Sequence, residues 1–296
     1  MTTLAPVSVL LTTYHRTRPE DLTWALRSLQ EQTLPAAQVV IVADGPIGED
    51  LRHIIEDFTT TYSATGGTAH SVFTPRNQGS AAASNEGLPH CTEEFIARLD
   101  SDDLAAPNRF EKQVQFLRSN PTIDVLGTSV AEFDDALWAS WIKNKDAHTA
   151  IHTITQMGTT SRVLPETHRQ IVRYARINSP LNHPSVMMRR EALEEVGGYQ
   201  PVHLMEDYDL WARMIAAGKT LHNLPEPLTY FRASEAMFDR RTGKDMFAAE
   251  RVMQANLRRY GLITRPRAIL NLLARSLYRA LPRTTLTRVY SILFHR

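Results

Sequence analysis

Short apolar runs at residues 7–12, 39–43, 71–74, 95–99 and 125–128 alternate with helical patterns at residues 20–32, 49–61, 81–88 and 107–119. No other feature constrains the fold as much. Runs this short, bounded by Gly, Pro, Asn and Asp, read as buried strands. Val39-Val40-Ile41-Val42-Ala43 has no polar face, the pattern of a strand covered by helices on both sides. In the first helical pattern Leu22, Ala25, Leu26 and Leu29 share one face, and Pro19 suits its start. Strands alternating with helices specify an α/β fold: a mostly parallel central sheet flanked by helices.

The rhythm breaks after Ser129. Residues 132–164 have no clean period; they carry Trp138, Trp141 and several histidines, and read as an irregular, substrate-shaping segment. Residues 166–176 read as a helix and 185–188 as a strand. Residues 191–196 read as a short helix ended by Gly197-Gly198. A helix at 207–217 has Leu210, Trp211, Met214 and Ile215 on one face, a last strand follows at 228–231, and the chain is helical from residue 244. With 296 residues, 43% of them hydrophobic, a sizeable core can be buried. Cys91 is the single cysteine, so no intrachain disulfide can form, which fits a reducing compartment. The apolar run at 7–11 has no basic segment before it, and no run reaches about 18 apolar residues, so neither a signal peptide nor a membrane span is expected.

Ligands of parallel α/β sheets bind beyond the carboxyl ends of the strands. There the fourth run continues into Asp100-Ser101-Asp102-Asp103. Carboxylates this close repel one another unless a cation or hydrogen-bond donors offset them. One reading is a Mg2+ or Mn2+ site that also takes a diphosphate. A second is that Asp102 or Asp103 caps the next helix while the others face water. A third is a calcium loop, because Asp100, Asp102 and Glu111 have EF-hand spacing; Leu104 and Ala105 stand where a ligand and the turn glycine belong.

The first strand–helix turn, Thr12-Thr13-Tyr14-His15-Arg16, has no glycine, which argues against a dinucleotide-binding dehydrogenase. Asp44 ends the second strand on the same sheet edge. It can accept from a base N–H or a ribose hydroxyl, or serve only as a turn residue before Gly45. The small residues from Asn77 to Gly87 allow backbone to approach a ligand, or simply pack a helix tightly. Glu206-Asp207-Tyr208-Asp209 opens a helix, where the dipole favours acids. Asp207 and Asp209 cannot share a helix face, so one is expected in a cleft and the other in water. A displacement at a sugar carbon needs a base beside the acceptor hydroxyl, which a carboxylate can provide. A lone His such as His183 is more often structural than catalytic. His152, His168 and His183 lack metal-ligand spacing, so no zinc is expected.

Taken in order, these pieces resemble the family 2 glycosyltransferases of GT-A fold. The resemblance spans residues 7–232. It rests on V-S-V-L-L-T-T-Y, V-V-I-V-A-D-G-P, N-Q-G-S-A-A-A-S-N-E-G, A-R-L-D-S-D-D, N-H-P-S-V-M-M-R-R, V-G-G-Y and M-E-D-Y-D-L-W. It implies a nucleotide-sugar donor, UDP- or dTDP-linked, a Mn2+ or Mg2+ cofactor, and inversion at the anomeric carbon. Thr12 and Tyr14 would line the base pocket, Asp44 would hold the base, and Asn77 would join the donor site. Asp100 would hold the ribose or diphosphate, and Asp102 would bind the metal with Asp103 sharing that work. Asp207 would be the base, with Glu206 as second choice, and His183 would contact the acceptor. Ala43 replaces the first acid of the usual D-D-G-S, and Ser84 replaces an arginine before Asn85. The implied organisation is a glycosyltransferase domain over 1–235, with a donor half at 1–129 and an acceptor half at 130–235, then a helical extension over 236–296. Two other readings are a sugar-phosphate nucleotidyltransferase, which usually begins with a glycine-rich loop absent here, and a non-catalytic sugar-nucleotide or glycan-binding protein.

The extension is strongly basic: from Arg251 onward there are ten arginines and no Asp or Glu. Ile269, Leu272, Leu273, Leu277 and Leu281 recur at helical spacing, with Arg267, Arg275 and Arg279 on the other side. A basic amphipathic helix suits an anionic membrane surface; the other reading is that its apolar face packs on the protein's own acidic body while the arginines pair with it or face water. Sparse aromatics argue against nucleic acid. The expectation is a cytoplasmic enzyme, peripheral on the inner face of the cell membrane, that extends a glycan or lipid-linked glycan.

Overall fold

The computed structural model describes residues 3–143, 145–157, 159–233 and 244–279. The expected α/β alternation is present: β1 (Ala5–Tyr14), α1 (Pro19–Gln30), β2 (Ala36–Asp44), α2 (Glu49–Thr61), β3 (Thr68–Phe73), α3 (Ser80–Gly87), β4 (Phe95–Asp100), a short β5 (Leu104–Ala105), α4 (Arg109–Ser119) and β6 (Val125–Asp134). Then come α5 (Asp135–Ile142), α6 (Ala147–His152), β7 (Thr160–Arg162), α7 (His168–Ala175), β8 (Met187–Arg189), α8 (Arg190–Glu195), α9 (Glu206–Ala216), β9 (Leu221–Ala233), α10 (Lys244–Arg259) and α11 (Arg265–Arg279).

The strands form one sheet in the order β3-β2-β1-β4-β8-β6-β9-β5, with β7 added to β6. The first four are parallel. β8 runs antiparallel to both β4 and β6, and β6 and β9 are parallel to each other, so the second half is mixed. Residue 129, the boundary expected from the sequence between two halves, lies inside β6, so the sheet continues across it without a linker.

Successive side chains of a strand point to opposite faces. Val7, Val9 and Leu11 of β1 accordingly pack with α1, α2 and α4, while Leu10 packs on the other face with residues of α3, α8 and α9. Two elements differ from the sequence reading. The irregular segment after Glu132 contains α5, α6 and β7, because helices of eight and six residues are too short to display an apolar period. They are set by their caps: Asp134 accepts from Leu137 N, and Asp146 from Thr149 N, both at 2.9 Å. The last strand is far longer than residues 228–231. Pro225 and Pro227 hide it in the sequence, and register shifts against Thr128–Val130 accommodate them.

The basic extension begins with two helices, but α11 is turned differently from the expected orientation. Ala268 and Asn271 face inward, and Arg275 ion-pairs with the buried Glu250 of α10. Ile269, Leu270 and Leu273 are left 59%, 57% and 64% exposed. Arg275 therefore belongs to the packed side, because an unpaired buried Glu250 would be costly. The expected roles of Leu277 and Arg279 as side chains, and of Leu281 and the residues after it, lie outside the described residues.

Gly87 shows how tightly the site-bearing layers approach. A Cβ there would lie 2.4 Å from Leu10 Cδ1 and 2.8 Å from Val42 Cγ2. Gly87→Val should therefore lower stability by roughly 1–3 kcal/mol through overpacking, read as a lower denaturant midpoint.

Candidate active site

The parallel register builds the site. Thr12 lies opposite Asp100, and Tyr14 opposite Asp44, so all four reach the carboxyl edge of the sheet together. Asp44 is buried, and its carboxylate is occupied by a loop: it accepts from Gln78 N and Gly79 N, each at 2.8 Å. Asn77 Nδ2 donates to Asp44 O at 3.1 Å. Gly45 has φ +85°, and a Cβ on it would lie 2.5 Å from Asn77 N, so glycine is required where the two loops cross. Asp44 thus braces the loop that opens α3; any contact with a base uses its remaining lone pairs.

The acid turn is held from behind by arginines. Arg98, buried in β4, donates to Leu10 O (2.6 Å) and to Asp100 Oδ1 (3.0 Å). Arg109 is fully buried and donates to the carbonyls of Arg98 (2.7 Å), Pro184 (2.9 Å) and Val186 (3.2 Å). At the end of β9, Arg232 Nε donates to Asp102 O and its backbone N–H to Asp103 Oδ1, both at 2.9 Å. Neither helix-capping nor a calcium loop describes this turn: Asn108 stands at the N-cap of α4, and Glu111 accepts from Thr33 at 2.8 Å.

Asp103 points into the protein, and its Oδ2 has no hydrogen-bond partner among the described residues. Burial, then the neighbouring Asp102 and Asp100, holds its pKa well above the carboxylate range. Burial and Asp100 push Asp102 up to about 6. Hard oxygen donors lacking enough positive charge to offset them fit a divalent cation such as Mn2+ or Mg2+. Among the described residues, the arginines reach Asp100, Asp103 and the turn's backbone, while no side-chain donor reaches the Asp102 carboxylate.

The second acid pair opens α9. Burial first, then Glu206, pushes Asp207 up to about 6, and Asp100 acts in the same direction. Ser179 Oγ donates to Asp207 Oδ2 at 3.3 Å. Asp209 corrects an expectation: it is fully buried rather than in water. It accepts from Arg213 (2.8 Å), Asn256 (2.8 Å) and Tyr260 (2.9 Å), because α10 covers that side of α9. His183 lies between Tyr199 and Trp211, with Nε2 2.9 Å from the Tyr199 hydroxyl. Burial and the nearby Arg98 lower its pKa to about 3, so its imidazole is neutral at physiological pH. Asn85 ties this wall to α3, donating to Tyr199 O at 2.8 Å and accepting from Tyr199 N at 2.9 Å.

Arg232, Arg109 and Ser179 escape the sequence reading, since they lie far in sequence from the acids that they support. An arginine ending a strand, or a serine in a loop, carries no local signal of such a role.

The mixed sheet with helices on both faces and an acid turn at its carboxyl edge is the architecture of a GT-A fold. Residues 8–197 match the family described as Glycosyl transferase family 2. The chain belongs to that family and is a glycosyltransferase. It is 33% identical over 245 residues to the amylovoran biosynthesis glycosyltransferase AmsE of Erwinia amylovora, covering 82% of each chain. It is 28% identical to the UDP-Gal:alpha-D-GlcNAc-diphosphoundecaprenol beta-1,3-galactosyltransferase of Escherichia coli, covering 98% of this chain and 96% of the relative. Among solved structures it resembles S. aureus TarS 1-349 in complex with UDP-GlcNAc, with TM-score 0.61 and 17% identity, covering 97% of this chain and 75% of that one. It also resembles the mannosyltransferase PcManGT from Pyrobaculum calidifontis in complex with GDP-Man and Mn2+, with TM-score 0.56 and 16% identity, covering 99% and 81%.

The raised Asp207 pKa has a stability consequence. The folded-state value of about 6 exceeds the unfolded value of about 3.9, so the ionised carboxylate costs stability above pH 6 and nothing below pH ~4. Asp207→Asn should raise the thermal midpoint at pH 8, and the gain should vanish at pH 4, as followed by unfolding across that range.

Proposed function

We propose that this glycosyltransferase is inverting and divalent-metal-dependent. It moves a hexosyl or N-acetylhexosaminyl group from a UDP- or dTDP-linked donor to a hydroxyl of a glycan or lipid-linked glycan, in cell-surface polysaccharide biosynthesis. The observation that carries this reading is the crowding of Asp100, Asp102 and Asp103 at the carboxyl edge of the sheet with no side-chain donor on the Asp102 carboxylate, and a second acid of raised pKa, Asp207, supports it. In support, one relative is named for UDP-Gal as donor and a GlcNAc-diphosphoundecaprenol as acceptor. The solved relatives carry UDP-GlcNAc in one case and GDP-Man with Mn2+ in another.

In this mechanism Thr12, Tyr14, Asp44, Asn77 and Asp100 would hold the donor and Asp102 would hold the cation, while Asp103, expected from the sequence to share the cation, points into the protein and braces the turn through Arg232 N. When bound, the cation supplies Lewis-acid stabilisation of charge on the diphosphate. Asp207 takes the proton of the acceptor hydroxyl as that oxygen attacks the anomeric carbon from the face opposite the diphosphate. The new C–O bond forms as the bond to the diphosphate oxygen breaks, which inverts the carbon. Glu206 keeps the base near neutrality by like-charge repulsion, and Ser179 orients its Oδ2. Neutral His183 contributes a hydrogen bond to the acceptor without adding charge.

A panel of nucleotide sugars, assayed for metal-dependent hydrolysis and transfer, tests the reading; no turnover with any donor would favour a non-catalytic binding protein. Asp102→Asn should weaken Mn2+ binding and nearly abolish transfer. Asp207→Asn should lower kcat roughly 10²–10⁴-fold with donor affinity retained. In the wild type kcat/KM should rise with pH through about 6 as Asp207 loses its proton. Collapse of donor affinity in Asp207→Asn would instead put this acid in the donor site.

The same reading includes docking of the basic extension on an anionic membrane at its cytoplasmic face, where a lipid-linked acceptor is presented. No helix among the described residues is long and apolar enough to cross a membrane. Ile269, Leu270 and Leu273 project from α11, and Arg251, Arg258 and Arg265 are exposed along the groove between α10 and α11. Each arginine near such a surface adds about 1 kcal/mol at most, so the apolar ridge has to contribute. Full-length protein should float with anionic liposomes, and Ile269→Glu/Leu273→Glu should float much less. Equal flotation of the two would reject this ridge as the anchor.

A further inference from the structure

His148 and His152 are four residues apart on α6, so both imidazoles project from one face of that helix. Their ring centroids are 4.1 Å apart. A helical His-x-x-x-His pair can bring two ring nitrogens to one metal ion. The helix is fixed at its start by Asp146, which accepts from Thr149 N (2.9 Å) and Thr149 Oγ1 (2.7 Å). A third donor comes from a different element: Glu31, just after α1, has its Oε2 2.7 Å from His148 Nδ1. One ligand atom from each of the three residues lies within 4.8 Å of the other two. The histidines that the sequence singled out beside His152 are elsewhere: His168 Nδ1 accepts from Leu221 N (3.2 Å), and His183 is in the cleft.

We propose that Glu31, His148 and His152 form a second metal site, separate from the acid turn, that takes Zn2+ or a similar transition-metal ion. Two imidazoles and one carboxylate are the ligands that such an ion prefers, whereas Mg2+ and Ca2+ prefer oxygen alone. Tetrahedral Zn2+ with bonds of about 2.0–2.1 Å puts its ligand atoms about 3.3 Å apart, so the His148–Glu31 pair has to open by only about half an ångström. One carboxylate leaves the bound ion with a net positive charge, and three protein ligands leave a fourth position for water. His148 is 65% exposed at its side chain, which gives the ion a route in.

The site's position gives the ion a structural task. The α5–α6 segment lies along α1 and is attached in three places: Asp135 to Arg18 at the start of α1 (2.7 Å), Trp138 edge-on to Trp24 in the middle, and His148 to Glu31 at its end. Asp135 also pairs with Arg232 (2.7 Å), which braces the acid turn. A metal ion at the third point ties the segment to the donor half of the sheet. That the segment shapes the acceptor side rests on the function proposed above; metal binding itself does not.

The test is titration of the full chain with Zn2+ by calorimetry and with Co2+ by visible absorption, in excess Mg2+ to occupy the acid turn. Stoichiometric binding with the strong absorption of tetrahedral Co2+ is expected, together with a Zn2+-dependent rise in Tm. Glu31→Gln, His148→Ala and His152→Ala should each weaken binding at least about tenfold, while Asp102→Asn leaves it unchanged. These exposed substitutions should leave the metal-free Tm near wild type. Absence of stoichiometric binding, or binding unaltered in the His148→Ala/His152→Ala variant, overturns the site. Loss of binding in Asp102→Asn alone would assign the ion to the acid turn instead.

Discussion

Crowding carboxylates onto one sheet edge depends on arginines buried behind them. Arg98 donates to one strand carbonyl, Leu10 O, and to Asp100, while Arg109 donates to three carbonyls and to Gln113. Arg232 closes the turn from the far side of the sheet, and it pairs in turn with Asp21 and Asp135. Burying a guanidinium costs less the more of its donors are met, and its planar fork meets several at fixed angles. This network holds the turn rigid while leaving the Asp102 carboxylate without a side-chain partner. The same geometry that costs stability there is what the proposed cation would relieve.

The second acid pair is supported in another way. Asp207 receives one side-chain hydrogen bond, from Ser179, and the loop bearing Ser179 is held by the C-terminal helices. Asn271 donates to Arg176 O (2.8 Å), Arg275 to Asn178 Oδ1 (2.6 Å), and Tyr208 of α9 to Ala175 O (2.6 Å). Asp209, two residues beyond Asp207, is locked to Asn256 and Tyr260 of the same extension. The extension is therefore part of the scaffold around Asp207, the proposed base, as well as a candidate membrane contact. It buries Met246, Ala249, Met253, Leu257 and Ala268 against Val202, Met205, Tyr208 and Ala212, and leaves Ile269, Leu270 and Leu273 of α11 outside.

Much of the first half was legible in the sequence because its signals are local. Residues 49–61 form the helix read from their pattern, and the β-branched run from Val39 is the buried strand that it resembles. The acid turn was legible as a place, since strand ends are where ligands of such sheets bind. Its internal division was not: which of Asp102 and Asp103 faces inward depends on β9, about 130 residues later.

By itself, the sequence determined the α/β class, the strand-end position of the acids and the helical character of the extension, because periodicity and turn residues encode these over a few residues. Only the tertiary structure decided that α5 and α6 lie along α1, that Asp209 is buried while Asp207 is part-exposed, and that α11 turns Arg275 inward. Each of these follows from a partner distant in the chain: Glu31 and Arg18 for the α5–α6 segment, Asn256 and Tyr260 for Asp209, and the buried Glu250 for Arg275. Helical spacing determines which side chains share a face, but the charge that needs neutralising decides which face goes in.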